Sequence, residues 1–156
     1  MKPRMSFKNI IRNIKIKLKS GIQTRSFILE KVPKDMQTKQ GIYILSENGR
    51  PVYVGRSNRI KGRLKSHIGR RHNQASFAYL LAREAFGLEK ASYKKNFGRD
   101  HLMSLPKFRT HFNRAVKRIR NMRVRVIEEI DQTNQALLEI YAAHKLKTKY
   151  NNFKTH

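Results

Sequence analysis

The sequence of 156 residues contains no cysteine. This absence excludes a disulfide framework, thiolate zinc sites, iron–sulfur clusters and cysteine nucleophiles. Acidic residues are also scarce, with 10 Asp and Glu against 36 Lys and Arg and a formal net charge of +26. A two-metal centre built from several carboxylates is therefore hard to assemble, whereas one carboxylate that holds one Mg²⁺ partly through water is feasible.

Long apolar runs are missing as well. No run approaches the roughly 18 residues that a membrane span needs, and the first twenty residues are too rich in Lys and Arg for a secretory signal. We therefore expect a cytoplasmic protein without a membrane span; a nucleoid-associated, phage or mobile-element setting is compatible with this expectation. The excess of positive charge indicates a polyanionic partner, with nucleic acid first, an anionic membrane second and acidic proteins third.

The N-terminal segment combines apolar and basic residues. Residues 1–28 contain no acid, and apolar side chains recur there at helical spacing with Lys and Arg between them. This pattern predicts a basic amphipathic helix in an N-terminal extension over residues 1–38. Two interpretations are open, a helix docked on the core with its charged face in water and an arm that contacts DNA.

The next segment carries a hairpin signal. The runs Gly41–Ser46 and Pro51–Gly55 are β-branched and aromatic, and they flank Asn48-Gly49. Asn and Gly tolerate the positive φ that tight hairpin turns require, so we predict a β-hairpin. A helix capped by Ser57-Asn58 is predicted to follow it.

The remaining elements fix the fold class. Helices are predicted over residues 75–86, 107–120 and 132–147, a strand over 122–126, and a loop over 88–106. We expect an α+β fold with a small three-stranded, mainly antiparallel sheet, formed by the hairpin and one later strand and flanked by helices. Residues 39–156 are predicted to form one domain with a basic helical insertion at about 69–121.

The polar residues of this region follow a recognisable order. Gly41-Ile42-Tyr43 on the first strand and Tyr53-Val54-Gly55 on the second precede Arg63 and His67 on a helix. Glu139 on a later helix and an Asn near residue 151 complete the order. These residues resemble the GIY-YIG nuclease family over residues 41–67 and again from about 123 to 152, with Val in place of the central Ile of the second tripeptide.

The resemblance implies a metal-dependent endonuclease that hydrolyses DNA phosphodiester bonds at a single GIY-YIG-type site. One Mg²⁺ or Mn²⁺ ion per site is implied, with Glu139 as its ligand. Tyr43 is implied as general base or water-positioning group and Tyr53 as a phosphate contact. The implied catalytic residues are Tyr43, Tyr53, Arg63, His67, Glu139 and Asn151, with Asn152 as the alternative for the last position.

Ordinary structural roles compete with these assignments. Two facing tyrosines are typical of cross-strand packing, and a phenol becomes a base only where positive charge lowers its pKa from near 10. His67 either hydrogen-bonds a tyrosine or the phosphate, or completes the apolar face of its helix. Glu139 has no Lys or Arg at the usual pairing positions on its own helix, so its cation must come from elsewhere. Arg63 offers a planar guanidinium suited to two-point contact with phosphate.

Basic residues supply the predicted binding surface. From Leu102 to Ile127 there are eight Lys or Arg and no acid, so we expect affinity for phosphates that falls steeply with salt. We expect a monomer or transient dimer on duplex or branched DNA, in preference to RNA. The alternative function is a non-catalytic basic nucleic-acid-binding protein that retains the fold. The predicted nucleic-acid contacts are Arg56, Arg59, Lys61, Arg70, Arg71, Arg114, Lys117, Arg118, Arg120, Arg123 and Arg125.

Overall fold

A computed structural model describes residues 3–88 and 98–153, and it divides the chain into two units. The first unit is Met1–Arg63 with Met122–His156, and the second is Leu64–Asn121. The helices are α1 (Phe7–Gly21), α2 (Ile60–His67), α3 (Ser76–Ala85), α4 (Arg99–Ser104), α5 (Pro106–Arg120) and α6 (Gln132–Leu146). The strands are β1 (Phe27–Ile28), β2 (Gly41–Glu47), β3 (Arg50–Ser57) and β4 (Arg123–Glu128), and two 3-10 helices lie at Leu29–Lys31 and Lys34–Thr38.

The first unit is built on an antiparallel sheet with the strand order β1-β4-β2-β3, which confirms the α+β class. The predicted number of three strands is wrong, because β1 adds a fourth. This strand pairs Phe27 with Val124 and Ile28 with Arg123. Two residues are too few to show an alternating pattern, so the sequence carries no strand signal there.

The predicted hairpin is confirmed and consists of β2 and β3. Asn48 and Gly49 form its turn with φ values of 50° and 75°, the positive range that this kind of turn requires. Gly41 begins β2 with φ 146°, and a Cβ there would collide with the Ile127 carbonyl oxygen. Glycine at position 41 therefore allows β2 to approach β4 closely.

The core of the first unit lies between the sheet and two helices. Helix α1 contributes Ile14 and Leu18 to the core, although its Phe7 is exposed, and the charged residues Lys8, Arg12, Lys15 and Lys19 are exposed as well. The structure therefore shows the N-terminal segment as a helix docked on the core, which is the first of the two interpretations. The buried core residues are Ile14, Leu18, Ile42, Ile44, Val54, Ile127, Leu138, Ala142 and Ala143.

The second unit is helical, with α3 and α4 packed on α5. Aromatic contacts join its elements, since the ring of Phe108 lies 5.5 Å from that of Tyr79 and 5.4 Å from that of Phe86. The predicted loop over 88–106 is wrong at α4, and residues 89–97 of that prediction lie outside the described residues. Helix α4 has six residues, which is too short for a helical period to be recognised. Pro106 opens α5 at a position where its missing N–H costs nothing.

Within 3–88 and 98–153, none of the helices combines the length and the apolar character that crossing a bilayer demands.

Candidate active site

The hairpin places two tyrosines on one face of the sheet. Tyr43 lies opposite Gly55 and Tyr53 lies opposite Leu45, so the two phenols are diagonal neighbours across the strand pair. Their ring centroids are 6.3 Å apart. A Cβ at position 55 would collide with the Tyr43 hydroxyl, so glycine there makes room for the phenol on the facing strand. The side chain of Tyr43 is fully buried.

Helix α2 brings a guanidinium to these phenols. The Ser57 hydroxyl accepts a hydrogen bond of 2.9 Å from the Arg59 N–H, which precedes α2, so this bond closes the turn before the helix and is not the predicted cap of its first turn. Arg63 lies one turn later, and its side chain hydrogen-bonds both Tyr43 and Tyr53. Three predicted site residues, from two strands and a helix, therefore meet at one point in the first unit.

Burial decides the protonation state of the two phenols. Burial raises the pKa of Tyr43 and the neighbouring Tyr53 adds to this shift, whereas Arg63 lowers the pKa by less. Burial also raises the pKa of Tyr53, against the opposing charge of Arg63. Both phenols are consequently neutral at neutral pH. In the protein alone, the positive charge beside Tyr43 does not convert it into a base.

Glu139 lies on α6 with its side chain only 20% exposed. Burial raises the pKa of this carboxyl, and Arg56 opposes the shift. The negative charge of Glu139 raises the pKa of both Tyr43 and Tyr53, which places the carboxylate within electrostatic range of the phenols. The carboxylate, the two phenols and the Arg63 guanidinium therefore form one electrostatic group, which we call the tyrosine–arginine–glutamate site.

The cation that Glu139 lacks on its own helix comes from β3. The Nε of Arg56 lies 3.0 Å from Glu139 Oε2. The sequence predicts that Arg56 contacts nucleic acid and offers no reason to pair it with Glu139. Side chains two residues apart on a strand share a face, so Arg56 projects on the same side as Val54, which packs against α6 in the core. The pairing of Arg56 with Glu139 can therefore be inferred only once α6 is known to cover this face of the sheet.

Asn151 supports the site from the outer edge of β3. Its Nδ2 donates to the Val54 carbonyl at 2.7 Å, and its Oδ1 accepts from the Val54 N–H at 2.8 Å. The Thr148 hydroxyl donates to the same Oδ1 at 2.7 Å, and the Tyr150 N–H bonds the Val52 carbonyl at 3.1 Å. Asn151 thus fixes the backbone at Val54, next to Tyr53, and its implied catalytic role stays a prediction. Asn152 is exposed.

His67 belongs to the second unit, at the end of α2. Its side chain is fully buried, and its ring meets that of Phe77 edge-on with the centroids 6.2 Å apart. This packing is the structural role that the sequence left open for His67. Its predicted catalytic role stays a prediction.

The predicted nucleic-acid contacts differ in their surroundings. Arg123 and Arg125 bond the segment after α1, since Arg123 Nε donates to the Ser26 hydroxyl at 2.8 Å and Arg125 Nε to the Thr24 carbonyl at 3.0 Å. The strand prediction for these two residues is confirmed by β4, but their guanidinium groups serve the fold as well as the surface. Lys61 is half-buried. The remaining predicted contacts besides Arg56 are exposed, namely Arg59, Arg70, Arg71, Arg114, Lys117, Arg118 and Arg120.

The donor set bears on metal binding. Among residues 3–88 and 98–153, no group of three or more His, Cys, Asp or Glu is arranged to hold a metal ion. The site offers a single carboxylate, that of Glu139. This chemistry fits Mg²⁺ or Mn²⁺ held through one carboxylate and several waters, and it does not fit an all-protein cage.

The chain matches no protein-family model, no curated protein and no solved structure.

Proposed function

We propose that the chain is a divalent-metal-dependent endonuclease of the GIY-YIG type that hydrolyses DNA phosphodiester bonds at the tyrosine–arginine–glutamate site. The observation that carries the proposal is the convergence of Arg63 with Tyr43 and Tyr53, within electrostatic range of Glu139. Phosphodiester hydrolysis needs an oriented water, positive charge against the phosphoryl oxygens and stabilisation of the departing oxygen. The site contains a group suited to each of these tasks.

Tyr43 is proposed to orient the attacking water. Its raised pKa keeps the phenol neutral, so its oxygen accepts a hydrogen bond from water without taking up a proton. Tyr53 is less buried than Tyr43 and donates its O–H to a phosphate oxygen. Of the two roles that the sequence left open for Tyr43, the water-positioning role is the one that a neutral phenol favours.

Arg63 is proposed to carry the positive charge that catalysis requires. A guanidinium remains charged at any working pH, and two phenols already hold its planar group in place, so little reorganisation is needed as negative charge grows on the phosphoryl group. Glu139 would hold the divalent ion, which when bound supplies positive charge for the leaving oxygen. Asn151 keeps β3 and therefore Tyr53 in position.

Exposed cations are proposed to hold the nucleic acid. Helix α5 contains no acid and carries six exposed Lys or Arg on the sides away from its buried Phe108, Phe112 and Ile119. Contacts of this kind recognise the phosphate backbone and carry no base information. We propose DNA, duplex or branched, as the substrate and a monomer with one site as the active form.

A cleavage assay with matched acidic variants tests the proposal. Plasmid, linear, branched and single-stranded DNA are incubated with wild type, Glu139→Gln and Glu128→Gln, with Mg²⁺ and with chelator. Glu128 is a suitable control, because its side chain is 60% exposed and its ion pair with Lys39 lies on the surface. We expect wild type and Glu128→Gln to cut with Mg²⁺ only, and Glu139→Gln to bind DNA without cutting. Cutting by Glu139→Gln at the wild-type rate contradicts the proposal.

The second candidate function is binding of nucleic acid without hydrolysis. The exposed cations of α5 favour it, because charge alone accounts for backbone binding. A non-catalytic binder retains full DNA affinity in all three proteins and leaves every substrate intact with Mg²⁺. The same assay therefore separates the two functions.

A further inference from the structure

The ion pair between Arg56 and Glu139 lies in the proposed active site and has no part in the mechanism above. Arg56 Nε approaches Glu139 Oε2 to 3.0 Å, and the two side chains are 45% and 20% exposed. Arg63, the other guanidinium of the site, bonds the tyrosines instead. The two arginines thus have separate partners, and Arg56 is the one directed at the proposed metal ligand.

A guanidinium and a divalent cation compete for one carboxylate. Burial makes the ionised form of Glu139 costly, and a nearby positive charge lowers that cost. Arg56 supplies this charge while the protein is alone. A divalent ion at Glu139 would meet the guanidinium at close range, where two like charges repel. The partial exposure of Arg56 gives it a way out toward solvent.

We propose that Arg56 is an internal counter-ion of Glu139, which a divalent cation displaces and which then binds a backbone phosphate of the nucleic acid. The inference rests on the proposed function, since it takes Glu139 as the metal ligand. Arg56 was predicted from the sequence to contact nucleic acid, and the displacement allows it both roles in turn. Guanidinium groups bind phosphate and carboxylate through the same donors.

The exchange couples metal binding to nucleic-acid binding. The metal takes Glu139 from the pair and the phosphate takes Arg56, so each ligand makes room for the other. Metal affinity should therefore rise when DNA is present and, by reciprocity, DNA affinity should rise when metal is present. Removal of Arg56 should strengthen metal binding by the protein alone and abolish the coupling.

The first experiment titrates Mn²⁺ into the full-length protein without DNA, with free Mn²⁺ measured by its paramagnetic resonance signal. Arg56→Gln is compared with Arg59→Gln, which removes the same charge from an exposed position three residues later. We expect Arg56→Gln to bind Mn²⁺ on the order of fivefold more tightly than wild type, because the free energy of one partly exposed ion pair corresponds to a change in affinity of this size. Arg59→Gln should stay within about twofold of wild type.

The second experiment repeats the titration with a duplex whose phosphates are replaced by phosphorothioates that resist hydrolysis. A parallel titration of Glu139→Gln with the same duplex corrects for Mn²⁺ ions that the duplex itself binds. Wild type should bind Mn²⁺ more tightly with the duplex than without it, and Arg56→Gln should show no such gain. A gain in Arg56→Gln equal to that in wild type contradicts the coupling.

The outcomes separate this inference from the proposed function. Equal Mn²⁺ affinity in Arg56→Gln and Arg59→Gln, or weaker binding in Arg56→Gln, overturns the displacement while cleavage by wild type upholds the nuclease. Failure of wild type and both arginine variants to bind Mn²⁺ overturns the displacement together with the metal assignment of Glu139. In that case Glu139→Gln should also cut as fast as wild type.

Discussion

The two units of the chain are both rich in positive charge, yet they use it differently. Residues 64–121 contain 14 Lys or Arg and three Asp or Glu, so the second unit carries a large excess of positive charge. Its helix α5 exposes six of these cations to solvent around a buried stripe that includes Phe108 and Phe112. In the first unit, several arginines hydrogen-bond particular oxygen atoms of the protein, namely Arg56, Arg63, Arg123 and Arg125.

This difference distinguishes cations suited to catalysis from cations suited to binding the phosphate backbone. A cation in water attracts any phosphate, whereas a cation already held by two phenols or by a carboxylate is fixed in direction. Catalysis requires fixed direction, because only charge aimed at the developing negative charge lowers the barrier. The first unit therefore contains fixed charge of the kind that the proposed hydrolysis would use, and the second contains exposed charge of the kind that the proposed backbone binding would use.

The largest effect that we expect comes from Arg63→Ala. Loss of one pre-organised charged donor should lower kcat by about 10²- to 10³-fold, while DNA affinity at low salt changes little. Arg114→Ala, an exposed cation of α5, is the control and should leave kcat unchanged. Single-turnover cleavage with saturating protein measures the rate of cutting in both variants. Equal losses in the two variants would remove the distinction between the units.

Helix α5 should dominate binding. Replacement of Arg114, Lys117 and Arg120 by Gln removes about three phosphate contacts, which should reduce the salt slope of log affinity by about 2.7 and the affinity by on the order of a hundredfold near 0.15 M salt. The rate of cutting within the bound complex should not change. Titrations of a fluorescent duplex at several salt concentrations give the slope.

Three exposed cations of α1 provide the control for that experiment. Lys8→Gln, Lys15→Gln and Lys19→Gln together remove the same charge from the first unit. We expect a smaller change in slope, because α5 carries six exposed cations and α1 carries four on a helix of the same length. An equal change in slope would show that net charge alone sets the affinity.

Gly55→Ala should damage the site through one methyl group. The new Cβ would occupy the place of the Tyr43 hydroxyl, so the phenol must leave its contact with Arg63 at a cost of about 1–3 kcal/mol of unfolding free energy. Gly62→Ala is the control, because a Cβ there meets only Arg59 Cβ at 4.0 Å inside a helix. Urea unfolding should show a loss for the first variant and no loss for the second. Unchanged stability and cleavage in Gly55→Ala would contradict the close packing.

The sequence predicted the elements that carry strong local patterns. The Asn48-Gly49 turn, the alternation in β4 and the periodicity of α5 each follow from the backbone preferences of a few residues. The order of Tyr43, Tyr53 and Arg63 likewise pointed to groups that the structure brings together. What the sequence missed depends on contacts between distant segments or on very short elements, as β1 and α4 show.

The electrostatics of the site were the least predictable part. From the sequence, Tyr43 could act as a base only if nearby positive charge lowered its pKa, but burial raises that pKa and is the larger effect. Burial depends on how the hairpin and α2 pack together, which local residue patterns do not encode. The partner of Glu139 could not be predicted for the same reason, since Arg56 and Glu139 are 83 residues apart in the sequence.

The smallest effect that we expect concerns pH, and it compares a tyrosine from each unit. Burial raises the pKa of Tyr43 and of Tyr79, with Arg83 and Arg99 opposing the shift at Tyr79. The unfolded chain loses these phenolic protons near pH 10 while the folded protein keeps them. Stability is therefore complete below pH 10 and is lost as the pH rises toward the raised pKa, by at most about 1.4 kcal/mol per pH unit for each proton.

Removal of either hydroxyl should flatten this loss, and the two variants can be compared directly. Tyr43→Phe should reduce the slope of unfolding free energy between pH 10 and 11 more than Tyr79→Phe does, because Tyr43 is fully buried and Tyr79 is 7% exposed. Lysines titrate in the same range, but they are common to both variants and cancel in the difference. Urea unfolding at closely spaced pH values measures the slopes. A larger effect at Tyr79 would mean that burial in the helical unit, and not in the hairpin, controls the alkaline stability of this protein.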